Sequence, residues 1–137
     1  MADRRLGLIM HGVTGRMGYN QHLVRSILAI RDQGGVVLSN GDRLVIDPII
    51  VGRDADKIER LAKKHDIKRW SNDLDAALAN KDDTVFFDAG TTLMRASLLE
   101  KALAAGKHVY CEKPTSDSLD VALNLAKTAR ASGLKHG

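Results

Sequence analysis

The chain has 137 residues, 44% of them apolar, and its 21 Lys plus Arg against 17 Asp plus Glu leave a net charge of +4. This length and apolar content support one domain with its own core, without a disulfide or metal staple. The basic excess does not indicate nucleic acid: no block of five like charges occurs, and the aromatics (Tyr19, Trp70, Phe86, Phe87, Tyr110) are too few for base stacking. A single cysteine, Cys111, excludes an intrachain disulfide framework and a cysteine-rich zinc site. The apolar stretch Leu6 to Met10 is shorter than a signal-peptide core, and no run approaches a membrane span, so the expected setting is cytoplasmic.

Short apolar runs alternate with helical patterns, which implies crossover connections and a parallel sheet. Leu6 to Met10 reads as a central strand ending at His11-Gly12. A helix follows over about Gly15 to Ile30, with Met17, Val24, Ile27 and Leu28 on one stripe. Val36 to Ile46 reads as an extra β-hairpin turning at Asn40-Gly41, with a plain surface loop as the alternative. Asp47-Pro48 is expected to break the apolar run, since proline cannot donate to a central ladder. The second core strand is therefore Ile49 to Gly52.

Asp54 can cap a helix carrying Ile58, Leu61 and Ala62. Lys68 to Trp70 is a short strand, followed by a short helix with Leu74, Ala77 and Leu78 inward. Thr84 to Ala89 is a strong strand, and Leu93 to Ala105 a helix stopped by Gly106. Lys107 to Cys111 is the next strand. The last helix, Ser116 to Ser132, should bury Ala122, Leu125, Ala126 and Ala129. Neither an internal repeat nor a low-complexity segment is present. The fold class is α/β, a Rossmann-type doubly wound parallel sheet with the added hairpin near residues 36–46.

Three motifs carry chemistry. Gly12-Val13-Thr14-Gly15-Arg16-Met17-Gly18 lies between a strand and a helix, where glycines let the backbone approach a pyrophosphate seated on the helix N-terminus. Its GxxGxxG spacing is one residue longer than GxGxxG, and the strand–turn–helix context makes it specific. Arg16 adds a cation beside the phosphates or is simply solvated. Val51-Gly52-Arg53-Asp54 ends the second core strand, where dinucleotide sites usually place an acid for the adenosine ribose. Here Gly52 takes that place and Arg53 follows, which favours gripping a 2′-phosphate and hence NADP. The alternative is that Asp54 turns to the ribose of NAD; the bland one is that Asp54 only caps its helix. Glu112-Lys113-Pro114 follows a strand at the carboxyl edge of the sheet, where ligands bind. Lys113 can bind a substrate hydroxyl or move its proton as a hydride leaves, or the tripeptide is a surface turn with an ion pair.

In this order, Gly12 to Gly18, Gly52-Arg53 and the run Ala104-Ala105-Gly106-Lys107-His108-Val109-Tyr110-Cys111-Glu112-Lys113-Pro114 resemble a known family. It is the nucleotide-binding domain of the glucose–fructose oxidoreductase/inositol dehydrogenase/rhizopine catabolism (Gfo/Idh/MocA) family, and the resemblance covers essentially the whole chain. It implies an NAD(P)-dependent oxidoreductase, a dehydrogenase or reductase of a sugar, cyclitol or related polyol or carbonyl compound. The lysine matching Lys113 then lies near the nicotinamide and the reacting oxygen, as the catalytic residue. The glutamate matching Glu112 shapes the nicotinamide end of the cleft, and the peptide before Pro114 is often cis. Cofactor contacts are expected from Gly12, Thr14, Gly15, Arg16, Met17, Gly18, Gly52, Arg53, Gly90, Thr91, Thr92, Glu112 and Lys113. Thr92 capping its helix is the simpler role for that residue.

Three residues or segments depart from the family pattern: Gly90-Thr91-Thr92 replaces a Thr-Pro-Asn-like run, Arg95 stands where a histidine is frequent, and Asp88 interrupts an apolar strand. Family members continue into a second α/β domain holding most substrate contacts. The expectation is therefore a nucleotide-binding domain, residues 1–137, that binds cofactor yet is inactive alone. The partner is a sugar-like small molecule, with neither nucleic acid nor membrane; relatives associate through the second domain, so a homo-oligomer is open to the full-length protein, while this piece is either monomeric or dimerises through an exposed edge. Two other readings stand beside this one. Gly15-Arg16-Met17-Gly18 is similar to the glycine loop of dihydrodipicolinate reductases, and a non-catalytic dinucleotide sensor would use the same fold. Among single residues, His22 and His65 are expected to be solvated or packed, and His11 to border the cofactor. Cys111 is expected as a small buried hydrophobe. There is no convincing metal-ligand spacing.

Overall fold

The computed structural model describes residues 1–137. The apolar run near the N-terminus lies in β1 (Asp3–His11), the centre of a six-stranded sheet. On one side β1 pairs in parallel with β3 (Arg43–Val51), and on the other with β5 (Asp83–Asp88), which in turn pairs with β6 (His108–Cys111). The outer edge of β3 is shared by two short strands. Antiparallel β2 (Val36–Val37) meets its start and parallel β4 (Arg69–Ser71) meets its end. No helix is long and apolar enough to cross a membrane.

Side chains that alternate along a strand point to opposite faces. Ile9, Val51, Phe86 and Val109 therefore enter one core layer, packed by α3 (Leu74–Ala79), α4 (Thr92–Ala104) and α5 (Leu119–Ser132). Leu8, Met10, Ile46, Ile50 and Phe87 enter the other, against α1 (Gly18–Leu28 continued by Ala29–Asp32) and α2 (Ala55–Lys64). Helices on both faces of a mainly parallel sheet make the expected doubly wound fold. Lys135 to Gly137 runs beside β6: Val109 donates to the Lys135 carbonyl and Gly137 to the Val109 carbonyl, with His136 bridging Val109.

Helix starts follow their caps. Asp54 accepts from the Lys57 N–H at 3.1 Å and Asp73 from the Ala76 N–H at 3.0 Å. Ser118 accepts from the Val121 N–H, so α5 begins at Leu119 and not at Ser116. Gly133, at φ +71°, closes it. Within α5, Leu125 and Ala129 are buried, while Ala122 and Ala126 are only half-buried.

Two elements differ from the sequence reading. The first eleven residues of α1 wind as a π-helix, and their buried positions, Gly18, Leu23 and Leu28, fall five residues apart. The wider turn replaces the 3.6-residue stripe: Leu23 takes the core position, Val24 and Ile27 are half-buried, and Met17 is exposed. The second difference is β3, which runs unbroken through Asp47-Pro48. Arg43 donates inward to Ala2 and Gly52 outward to Ser71, so by alternation position 48 faces outward. It lies between the segments paired by β2 and β4, where no ladder bond needs its missing N–H. The hairpin over 36–46 does form, with β2 only two residues long.

An ionic cluster ties the strands together at the end of the sheet away from the glycine turn. The fully buried Asp83 carboxylate accepts from Arg69 at 2.8 and 2.9 Å and from Arg5 at 3.0 Å. Asp47 accepts from the same two arginines, at 2.6 Å from Arg5 and 3.2 Å from Arg69. Burial pushes the Asp83 carboxyl up, but the two guanidiniums outweigh it and hold it below its ordinary value.

Candidate dinucleotide-binding site

β1, β3 and β5 all end on one side of the sheet, so their following turns converge. Gly12, Thr14, Gly15, Gly52, Arg53, Gly90 and Thr91 line a single cleft of about 350 Å³, together with His11, Val51, Ala89 and Met94. The glycines at its base leave no room for side chains. A Cβ at Gly12 would lie 2.2 Å from the Gly90 nitrogen, and one at Gly18 would lie 2.0 Å from the Gly12 carbonyl oxygen. Gly12 also holds φ +80°, a left-handed conformation. The start of α1 is thereby drawn against the end of β1. The N–H groups at a helix start lack intrahelical acceptors and carry the positive end of the helix dipole; here the Tyr19 N–H donates to the Gly15 carbonyl at 2.8 Å. A bare, donor-rich cradle with an exposed Arg53 on its rim fits a phosphorylated dinucleotide.

The remaining anticipated residues sit around this cleft and not in its lining. Arg16 and Met17 are exposed on the loop, and Gly18 is buried as the first residue of α1. Thr91, not Thr92, is the N-cap of α4, and its side chain makes no capping hydrogen bond. Asp54 spends its carboxylate on the α2 cap. Glu112 and Lys113 lie on the turn after β6. The Glu112 N–H donates to the Asp88 carbonyl, Lys113 is exposed, and the Lys113–Pro114 peptide is cis.

A buried polar cluster behind the cleft joins these turns. Asp88 accepts from His11 Nδ1 at 2.7 Å, from the Gly90 N–H at 3.0 Å and from Arg95 Nε at 3.1 Å. Arg95, with a side chain only 3% exposed, also donates to the Gly90 carbonyl at 2.7 Å and to the Pro114 carbonyl. One guanidinium thus spans the turns after β5 and β6. Burial pushes the Asp88 carboxyl up, yet the hydrogen bonds from His11, Gly90 and Arg95 together hold it below its ordinary value. A second link is His22, which donates from Nε2 to Glu112 at 2.6 Å and packs on Phe87. That bond is the main cause of the lowered Glu112 carboxyl, whose other oxygen accepts from the Lys113 N–H.

Sequence patterning assigns no such role to His22 or Arg95. For Arg95 and Asp88 the signal is present, a charge inside an apolar strand and an unusual arginine one helical turn into α4. For His22 there is none, because the π winding decides which face of the helix it occupies.

The sequence model described as "Oxidoreductase family, NAD-binding Rossmann fold" (GFO_IDH_MocA) matches residues 10–136. The chain belongs to this family. Among curated relatives of this Gfo/Idh/MocA chain, D-xylose dehydrogenase from Paenarthrobacter nicotinovorans is 48% identical over 128 residues, covering 93% of this chain and 33% of the relative. Among solved structures, an NAD-binding oxidoreductase from Klebsiella pneumoniae superposes with a TM-score of 0.78 at 25% identity, covering 97% of this chain and 34% of that one. KijD10, a 3-ketoreductase from Actinomadura kijaniata solved as the Y186F mutant with TDP-benzene and NADP, has a TM-score of 0.76 at 20% identity. The match covers 97% of this chain and 36% of that one, and shows the shared fold. The Gfo/Idh/MocA chain described here spans about a third of the length of these relatives (33% to 36%).

Proposed function

We propose that this chain is the cofactor-binding part of an NADP-preferring dehydrogenase acting on a sugar, cyclitol or related polyol or carbonyl compound. The observation that carries the reading is the single cleft shared by the Gly12, Gly52-Arg53 and Gly90 turns, with an arginine in place of the usual ribose-binding acid. The 48% identity to a D-xylose dehydrogenase supports a sugar-like substrate.

In this reading the turn from Gly12 to Gly18 holds the diphosphate through backbone donors, with Thr14 beside them and Arg16 and Met17 flanking from solvent. Arg53 takes the 2′-phosphate through paired, charge-assisted bonds. Gly90, Thr91 and Thr92 border the nicotinamide half, and Glu112, held by His22, sets the backbone of Lys113. The nicotinamide supplies or accepts the hydride. The Lys113 amine binds the reacting oxygen and carries its proton.

Calorimetric titration of the chain with NADPH and with NADH tests this. Tighter NADPH binding is the expected result. Tighter NADH binding would transfer the selecting role from Arg53 to Asp54, and failure of both to bind would remove the dinucleotide reading from these residues.

A further inference from the structure

We propose that His11 is an additional dinucleotide-binding residue, whose Nε2 accepts a hydrogen bond from a hydroxyl of the ribose next to the nicotinamide. The proposal rests on the dinucleotide reading above and concerns one half of the same cleft.

Three observations fix the orientation and chemistry of this ring. His11 lines the cleft, and its side chain is 15% exposed. The ring's only hydrogen bond within the protein is from Nδ1 to Asp88, and no buried side-chain nitrogen lacks a partner, so Nε2 is open to the cleft. Asp88 is fully buried; burial pushes its carboxyl up, but three hydrogen-bond donors outweigh this and hold it below its ordinary value. An ionised carboxylate only accepts, so the proton between the two residues sits on Nδ1. In the neutral ring this leaves a lone pair on Nε2. A lone pair repels a phosphate oxygen and accepts from a hydroxyl.

The position of the ring selects which hydroxyl. β1 lies between β3, which delivers Gly52 and Arg53, and β5, which delivers Asp88 and Gly90. The His11 ring is turned toward β5: a Cβ placed on Gly90 would lie 3.1 Å from its Cε1. With the adenosine end of the dinucleotide on the Arg53 side, Nε2 faces the half beyond the diphosphate. The first sugar there is the nicotinamide ribose.

Two probes separate this contact from a general effect on the cleft. ADP carries the diphosphate without the second ribose, and ADP-ribose carries both. For His11→Leu, ADP-ribose affinity should fall about three- to tenfold, the range of one lost hydrogen bond, with ADP affinity held within about twofold. For His11→Gln, whose side-chain oxygen can accept from nearly the same place, much of the ADP-ribose affinity should return. Equal losses for both probes, or no loss for ADP-ribose, would overturn the proposal. The wild-type chain gives a second measurement that no folding defect can disturb. The ¹⁵N resonance of His11 Nε2 should move on adding ADP-ribose and stay in place on adding ADP; movement with ADP, or none with either bound probe, overturns it. A wild-type chain that binds neither probe refutes the dinucleotide reading itself, whereas binding that ignores His11 refutes only this assignment.

Discussion

At the residue scale, the cleft divides into positions defined by what they lack and positions defined by charge. Gly12 and Gly18 are legible in the sequence because only glycine tolerates the close approaches seen there. Arg53 is legible because it replaces an acid at a strand end. Asp88 shows in the sequence as an anomaly, a carboxylate among apolar neighbours. Its partners, His11 and Arg95, lie 77 and 7 residues away and meet it only once β1, β5 and α4 are assembled. Arg53→Ala should weaken NADPH binding about ten- to a hundredfold, the worth of a charge-assisted phosphate contact, and leave NADH nearly unchanged in the same calorimetric titration. Equal losses for both cofactors would mean that Arg53 stacks on the adenine instead. For Lys113→Ala, steady-state kinetics of an active enzyme containing this chain should show a sharp fall in kcat with cofactor affinity nearly intact. An unchanged kcat would remove Lys113 from the proton's path.

At the element scale, strands and helices are found where apolar periodicity and caps place them, with boundaries moved by one to three residues by side-chain caps such as Ser118. Two departures have local causes that no pattern of hydrophobicity records. The π turns of α1 change the burial interval from 3.6 residues to five, exposing Met17 and burying Leu23. Pro48 is harmless because the outer edge of β3 is unpaired at that point. Asp54 belongs to this scale too, since its carboxylate caps α2. Asp54→Ala should cost about 1 kcal/mol of stability, read from denaturant unfolding, without changing NADH affinity. A matching loss of NADH binding would restore Asp54 to the ribose.

At the scale of the whole molecule, the doubly wound arrangement follows from the alternation of strands and helices, whereas the two buried ionic clusters do not. They join residues far apart in sequence at opposite ends of the sheet. Their pH dependence has a definite sign. Asp83 and Asp88 have carboxyls held below their ordinary value of 3.8 in the folded chain. The stability they contribute is therefore complete above that value and is lost as pH falls through their lower folded values. Circular dichroism during an acid titration should show the fold intact at pH values well above 4 and failing below about that point. Asp83→Asn, which leaves Arg69 and Arg5 with Asp47 as their one shared anion, should lose about 2 kcal/mol at neutral pH, the worth of hydrogen bonds to a charged group, and show a shallower acid dependence.

Asp83 and Asp88 are the first and last residues of β5, and this has a consequence for how the sheet assembles. A slip of one residue between β5 and β1 would turn Phe86 and Phe87 to the wrong faces, so apolar alternation alone forbids it. A slip of two residues would keep every apolar side chain on its proper face, and burial could not tell it from the native pairing. It would, however, carry Asp83 away from Arg69 and Arg5 and Asp88 away from His11, leaving the Asp83 charge in the interior without its partners. The paired ends of β5 thus supply the information that an alternating pattern cannot hold, namely which of its self-similar alignments is the right one.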